Sequence, residues 1–292
     1  MNDRVSRVDA RTLSGAGFLL AGVVLVQWSA ALVEPVFPVL GASATSAWRF
    51  LIGAAVLLAI TRPHLRAWTR AQWVGACALG ISTAFMNQCF YQALARIPLG
   101  GAVAIEFLGP LCVAALGRRS LRHFAFVVLA GLGVLALTHP GNGLTLVGVL
   151  LAAGSGLGWA LYVICAARVG GLTRGFEGLA VSMSIAAIVT LPFSLPKTSQ
   201  LFSHPDTLGR LAIVAVMAIV LSFGADLQGL RRLHPSIAGV LLAFDPAVAF
   251  LIGWLLLNQT VSVWDFTGLA CVVVAGVAVT YDSSVGGVGV VP

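Results

Sequence analysis

Apolar residues run through this chain in ten long stretches, separated by short turns that contain proline, glycine or charge. A helix needs about 20 apolar residues to cross a bilayer. The stretches lie at roughly 15–33, 38–60, 73–94, 99–117, 124–139, 145–167, 177–195, 209–230, 236–257 and 263–281. None shows the strict apolar/polar alternation of a half-buried strand. The pattern predicts an all-α integral membrane protein with ten transmembrane helices. The fifth stretch is the shortest and least well bounded.

The polar positions repeat as well. Residues 87–116 read NQCFYQALARIPLGGAVAIEFLGPLCVAAL, and residues 226–255 read DLQGLRRLHPSIAGVLLAFDPAVAFLIGWL. At a constant offset of 136, Gln92 falls on Gln228, Leu94 on Leu230, Arg96 on Arg232, Ala102 on Ala238, Pro110 on Pro246 and Gly117 on Gly253. Trp28 and Trp159 occupy matching places in the first and sixth stretches. The tenth stretch echoes the fifth, with Gly276 over Gly133. The chain therefore divides into two five-helix repeats, 1–142 and 143–281, followed by a Gly-rich tail, 282–292, expected to be disordered. Five is odd, so the second repeat enters the membrane inverted. That arrangement is typical of secondary transporters, which bind substrate near the midplane.

Composition agrees with the membrane reading. Of 292 residues, 59% are apolar and 9% charged, against about 25% charged in soluble domains. Net charge is +7, but the arginines sit in short loops, where they signal topology and not nucleic-acid binding. With the N-terminus inside, the cytoplasmic side receives Arg4, Arg7, Arg11, Arg62, Arg66, Arg70, Arg118, Arg119, Arg122, Arg168, Arg174, Arg231 and Arg232. These are 13 of the 17 basic residues. Only Arg96, Lys197 and Arg210 face out, so both termini are expected in the cytoplasm. The apolar run 17–33 reads as an uncleaved first helix. Gly154 and Gly158 form a GxxxG spacing that reads as close helix packing.

Charge inside a span costs roughly 2.5–3.5 kcal/mol on insertion scales, so charged residues there are the first candidates for chemistry. Glu106 has Pro110 one turn later, and that proline removes an amide donor near it. The acid reads as a proton or amine site, or as a structural partner of Arg49. Asp245 precedes Pro246 and falls on the helix face equivalent to that of Glu106. It joins Glu106 in a central site or caps a helix broken at the proline. Arg49 binds a substrate carboxylate or neutralises Glu106, and the residues alone do not separate these. Asp226, one turn from Arg231 and Arg232, reads more simply as a boundary ion pair. Asn87 and Tyr91 share one helix face, and Gln88 and Gln92 the next. These residues, with Trp28 and Trp159, complete the candidate lining, and Pro110 and Pro246 are the candidate hinges.

The five cysteines show no metal or disulfide spacing, and the five histidines lie in or beside loops. No catalytic motif or nucleotide-binding loop is present, so no enzyme, cofactor or metal is expected. The expected partners are a small-molecule substrate, the lipid bilayer and protons as a coupling ion.

The run ALARIPLGGAVAIEFLGPL at 93–111, with Trp48-Arg49-Phe50, resembles the EamA-type branch of the drug/metabolite transporter superfamily. Within that branch the chain is similar to bacterial inner-membrane threonine/homoserine exporters over about residues 15–281. The resemblance implies two EamA-type five-helix repeats and proton-coupled efflux of amino acids across the cell inner membrane. Drug or other metabolite efflux is the alternative within the superfamily, and a membrane channel the alternative outside it. The resemblance also implies a glutamate before the proline of the ninth helix. Here that residue is Asp245, whose shorter side chain bears on the size of the substrate.

Overall fold

The computed structural model describes residues 2–116, 121–137, 144–173, 175–233 and 235–285. Arg118, Arg119, Arg174, His139, His234 and the end of the tail from 286 lie outside the described residues. Apart from short turns, the described chain is helical: α1 (Asn2–Val33), α2 (Ala42–Thr61), α3 (Arg70–Leu94), α4 (Leu99–Leu116), α5 (Leu121–Leu137), α6 (Leu146–Leu172), α7 (Glu177–Ser194), α8 (Pro205–Ala215), α9 (Phe223–Leu230), α10 (Pro235–Leu242), α11 (Asp245–Leu256) and α12 (Val263–Val285). A seven-residue π-helical stretch, Val216–Ser222, joins α8 to α9.

Eight spans among the described residues are long and apolar enough to cross a membrane: Arg11–Leu40, Ala42–Thr61, Leu99–Leu116, Leu146–Ala166, Glu177–Ser203, Pro205–Leu230, Ile237–Leu256 and Val263–Thr280. The other two expected spans are also helices, each with a physical shortfall. α3 has 25 residues, but Asn87, Gln88 and Gln92 lower its hydropathy. The apolar part of α5, Phe124–Leu137, is short. α1 begins at Asn2, well before the apolar run. α12 continues past Tyr281 to Val285, so the start of the expected disordered tail is helix.

The two mid-helix prolines act differently. α4 runs unbroken through Pro110, where the preceding Gly109 offers no Cβ to the proline ring. Before Pro246 the helix stops at Leu242, turns at Ala243–Phe244, and restarts at Asp245. Pro246 then sits in the first turn of α11, where its missing N–H costs nothing.

The chain forms two compact units. One comprises 1–31, 98–144 and 221–292; the other comprises 32–97 and 145–220. Each draws on both halves of the sequence. In the first unit α5 crosses α12 with Gly133 against Gly268: a Cβ on Gly133 would lie 2.6 Å from the Gly268 carbonyl oxygen. α1 meets α9 through Gly15, Gly22 and Gly229. α4 meets α11 where Gly100 faces the Phe250 ring.

In the second unit α3 packs along α6. A Cβ on Gly158 would lie 2.8 Å from the Met86 Cα, and one on Gly154 would lie 3.4 Å from the Cys89 Sγ. Between them the Ser155 hydroxyl donates to the Met86 carbonyl at 2.9 Å. The GxxxG spacing is thus a packing device, because small residues let backbones approach in lipid. Gly158→Leu is expected to destabilise the fold by about 1–3 kcal/mol through overpacking. A thermal melt of the detergent-solubilised protein checks this, and a melt equal to the parent would refute the tight crossing.

The turns after α3 and α9 repeat each other bond for bond. The Arg96 Nη1 donates to the Gln92 carbonyl at 2.6 Å and to its side-chain oxygen. The Arg232 Nη1 donates to the Gln228 carbonyl and side-chain oxygen, both at 2.7 Å. The backbone N–H groups of Ile97 and Leu233 return to Ala93 and Gly229 in the same way.

Candidate functional site

The second unit holds a buried cation. Gly41, at φ 75°, makes the turn into α2, a conformation that favours glycine. Two helical turns later Arg49 lies 5% exposed. Its Nη2 donates to the Asn87 Oδ1. Its Cζ stands 4.5 Å from the centre of the Tyr91 ring and 5.5 Å from that of Phe50. The Asn87 amide is fixed in turn, since Nδ2 donates to the Thr83 carbonyl at 3.0 Å. A desolvated cation over an aromatic face gains roughly 2 kcal/mol, which helps hold a charge that is otherwise costly in apolar surroundings.

Tyr91 is fully buried, with Phe37 and Phe90 edge-on at 5.9 and 6.2 Å. Its hydroxyl makes no hydrogen bond. An unmade hydrogen bond on a buried donor costs about 1–3 kcal/mol, and a bound acceptor would recover that cost. A guanidinium fork beside a phenol suits a carboxylate.

The next face of α3 does other work. Gln88 donates to the Ser43 carbonyl at 3.2 Å, and Gln92 donates to the Ser43 hydroxyl at 2.6 Å. The oxygen of Gln92 is taken by Arg96. These bonds tie α3 to the start of α2, so the Gln92 amide is committed to the helix ends. Trp159 is half-buried on α6 of the same unit.

The first unit holds the acids. Glu106 lies inside α4 at 8% exposure, and Asp245, at 6%, is the first residue of α11. Asp245 does not cap that helix: Phe244 is the N-cap residue, and no side chain caps it. The Asp245 Oδ1 instead accepts a hydrogen bond of 2.7 Å from Gln27 Nε2 on α1. Gln27 is 4% exposed, whereas its neighbour Trp28 is 45% exposed. Sequence reading passed over Gln27, although a lone amide in an apolar run is a signal of the same kind as Asn87.

Asp226 departs from the expected boundary ion pair. The Arg232 guanidinium is taken by Gln228 and lies 4.7 Å from the centre of the Phe18 ring. The Asp226 carboxylate instead lies against Gly22 of α1. Its Oδ1 is sealed from solvent and makes no hydrogen bond. Each unit thus carries a membrane-embedded polar centre on packed helices, one cationic and one acidic. These are features of a multi-pass membrane transporter.

Comparison with known proteins places the chain within that class. The EamA-like transporter family matches residues 146–281. The threonine/homoserine exporter RhtA of Escherichia coli K12 is 30% identical over 265 residues, 90% of each chain. RhtA of Salmonella typhimurium LT2 is 32% identical over the same span. An uncharacterised inner membrane transporter of E. coli K12, YedA, is 27% identical over 80% of this chain and 79% of its own. A solved structure, described only as the crystal structure of a protein, aligns with 93% of this chain and 98% of its own. Its TM-score is 0.58 and its identity 18%, a likeness of fold. The chain belongs to the EamA-like transporter family.

Proposed function

We propose that this protein exports small amino acids, threonine and homoserine among them, across the cell inner membrane by proton-coupled alternating access. The observation that carries the reading is the buried centre of Arg49, Asn87 and Tyr91, whose donors suit a substrate carboxylate. Similarity to threonine/homoserine exporters supports the substrate class. In this reading Glu106 and Asp245 exchange protons or hold the substrate ammonium. Trp28 and Trp159 contact the substrate, and Pro110 and Pro246 serve as hinges. The reading is tested by loading labelled threonine into proteoliposomes and measuring counterflow against threonine, homoserine, lysine and a cationic drug. Saturable exchange of the first two is expected. Flux that does not saturate would indicate a channel, and preference for the drug would indicate drug efflux.

The proposed frame is ten spans in two inverted five-helix repeats, 1–142 and 143–281, with both termini cytoplasmic. The 136-residue offset, the matching turns after α3 and α9 and the arginine bias support it. A green fluorescent protein fused after Pro292 is expected to fluoresce, and alkaline phosphatase fused after Lys197 to be active. The opposite pair of results would reverse the orientation.

A further inference from the structure

The start of α2 carries a buried hydroxyl that the protein does not use. Ser46 is fully buried, and its Oγ makes no hydrogen bond. A buried serine in a helix ordinarily returns its hydroxyl to a carbonyl three or four residues back. Its neighbour Thr45 does so to Gly41 at 2.7 Å, and Ser82 does so to Leu79 at 2.9 Å. The repeat gives the sharpest contrast. At the offset of 136, Ser46 falls on Ser182 of α7. Ser182 is also fully buried, but its hydroxyl donates to the Gly178 carbonyl at 2.8 Å. Three residues after Ser182 stands Ile185, whereas three residues after Ser46 stands Arg49. The serine whose hydroxyl is unspent is the one beside the cation.

Two cross-links fix where Ser46 points. Ser43 is bonded by Gln88 and Gln92 of α3, and Arg49 bonds Asn87 of the same helix. Ser46 lies midway between Ser43 and Arg49 along α2. At about 100° per residue it also lies about 60° from each around the axis, on the arc between them that faces α3. Residues three apart on a helix have Cβ atoms about 5–6 Å apart, and helical side chains lean toward the N-terminus. The Arg49 side chain therefore runs back toward the turn that carries Ser46. On α3, Tyr91 lies between the levels of the two cross-links, and its buried hydroxyl is also without a hydrogen bond.

These groups differ in what they can bind. A guanidinium only donates, which suits a carboxylate; a serine hydroxyl both donates and accepts, which suits another hydroxyl. We infer that Ser46 is a specificity residue: it hydrogen-bonds the side-chain hydroxyl of the substrate while Arg49 holds the carboxylate, so the site selects hydroxylated amino acids over their apolar isosteres. The inference rests on the amino-acid export reading above and names the feature of the substrate that the site reads. A site built to bond a hydroxyl rejects the analogue that lacks it, because its own buried group is then left unpaired.

The test measures counterflow of labelled threonine by the full-length protein in proteoliposomes, with unlabelled threonine, valine, homoserine and norvaline as competitors. Valine is the near-isostere of threonine, and norvaline that of homoserine, each with methyl in place of hydroxyl. In the parent, the hydroxylated member of each pair should compete better. In S46A, competition by threonine and homoserine is expected to weaken roughly 3- to 10-fold, the scale of a neutral hydrogen bond. Competition by valine and norvaline should stay at the parent level. S46A should melt no lower than the parent, because the lost hydroxyl bonds nothing in the protein. S182A, which removes a hydroxyl bonded within its own helix, should leave the selectivity unchanged. Parent selectivity in S46A overturns the inference. So does an equal weakening of all four competitors, which would place Ser46 on the carboxylate, and so does a lowered melt, which would give the hydroxyl a structural role. A parent that exchanges threonine and valine alike removes this inference alone; one that exchanges no threonine removes the export reading, and the inference with it.

Discussion

Replacing Arg49 with alanine raises the KM for threonine roughly 10- to 100-fold, the worth of a charge-assisted hydrogen bond of about 1.5–3 kcal/mol. The guanidinium is held over the Tyr91 ring and bonded to Asn87, and its buried Nε makes no hydrogen bond, a donor suited to a carboxylate. The Tyr91 hydroxyl adds a donor that no protein group uses. Arg49→Lys keeps the charge but loses the fork and the stacking, and these differ enough that the change is not conservative. It should recover little of the affinity. Initial rates of counterflow against threonine concentration give the result. Arg49→Ala with the parent KM and an unchanged melt would show that Arg49 holds the fold and not the substrate.

The second large effect is expected at Asp245. Asp245→Asn removes the exchangeable proton but preserves the side-chain oxygen that accepts from Gln27. Transport driven by a pH gradient should fall roughly 100-fold, while the melt stays near that of the parent. Asp245→Ala is a different perturbation. It strands the buried Gln27 amide, at a cost of about 1–3 kcal/mol, and should lower the melt as well. The contrast between the two variants separates proton handling from structural support. Normal gradient-driven transport by Asp245→Asn would assign the acid to structure alone.

Much of this was legible in the sequence because lipid is a demanding solvent. Backbone groups in a bilayer must be satisfied within their own helix, so long apolar runs became helices close to the expected positions. Charges inside those runs stand out for the same reason, and Arg49, Glu106 and Asp245 all proved buried. The offset of 136 pairs the turns after α3 and α9, which are hydrogen-bonded alike.

The rest depended on contacts between distant parts of the chain. No spacing rule showed that residues 1–31 pack with 221–292, or 32–97 with 145–220. Gln27 was missed because a neutral amide in an apolar run draws less notice than a charge, yet it is the partner of Asp245. Asp226 departs from the expected ion pair: two arginines follow it five and six residues on, and proximity along the chain suggested the pairing. In the fold Arg232 turns to its own Gln228, as Arg96 does to Gln92. The two prolines also looked alike in sequence. The residue before each separates them: Gly109 lies in an unbroken helix, and Asp245 begins a new one.

The most direct test of proton-coupled amino-acid export places the purified protein in liposomes with labelled threonine and imposes a pH gradient. Threonine should accumulate against its own gradient on the acidic side, with proton movement in the opposite direction, and dissipating the gradient with a protonophore should abolish accumulation. Threonine that only equilibrates, at a rate indifferent to the gradient and to Asp245→Asn, would contradict it.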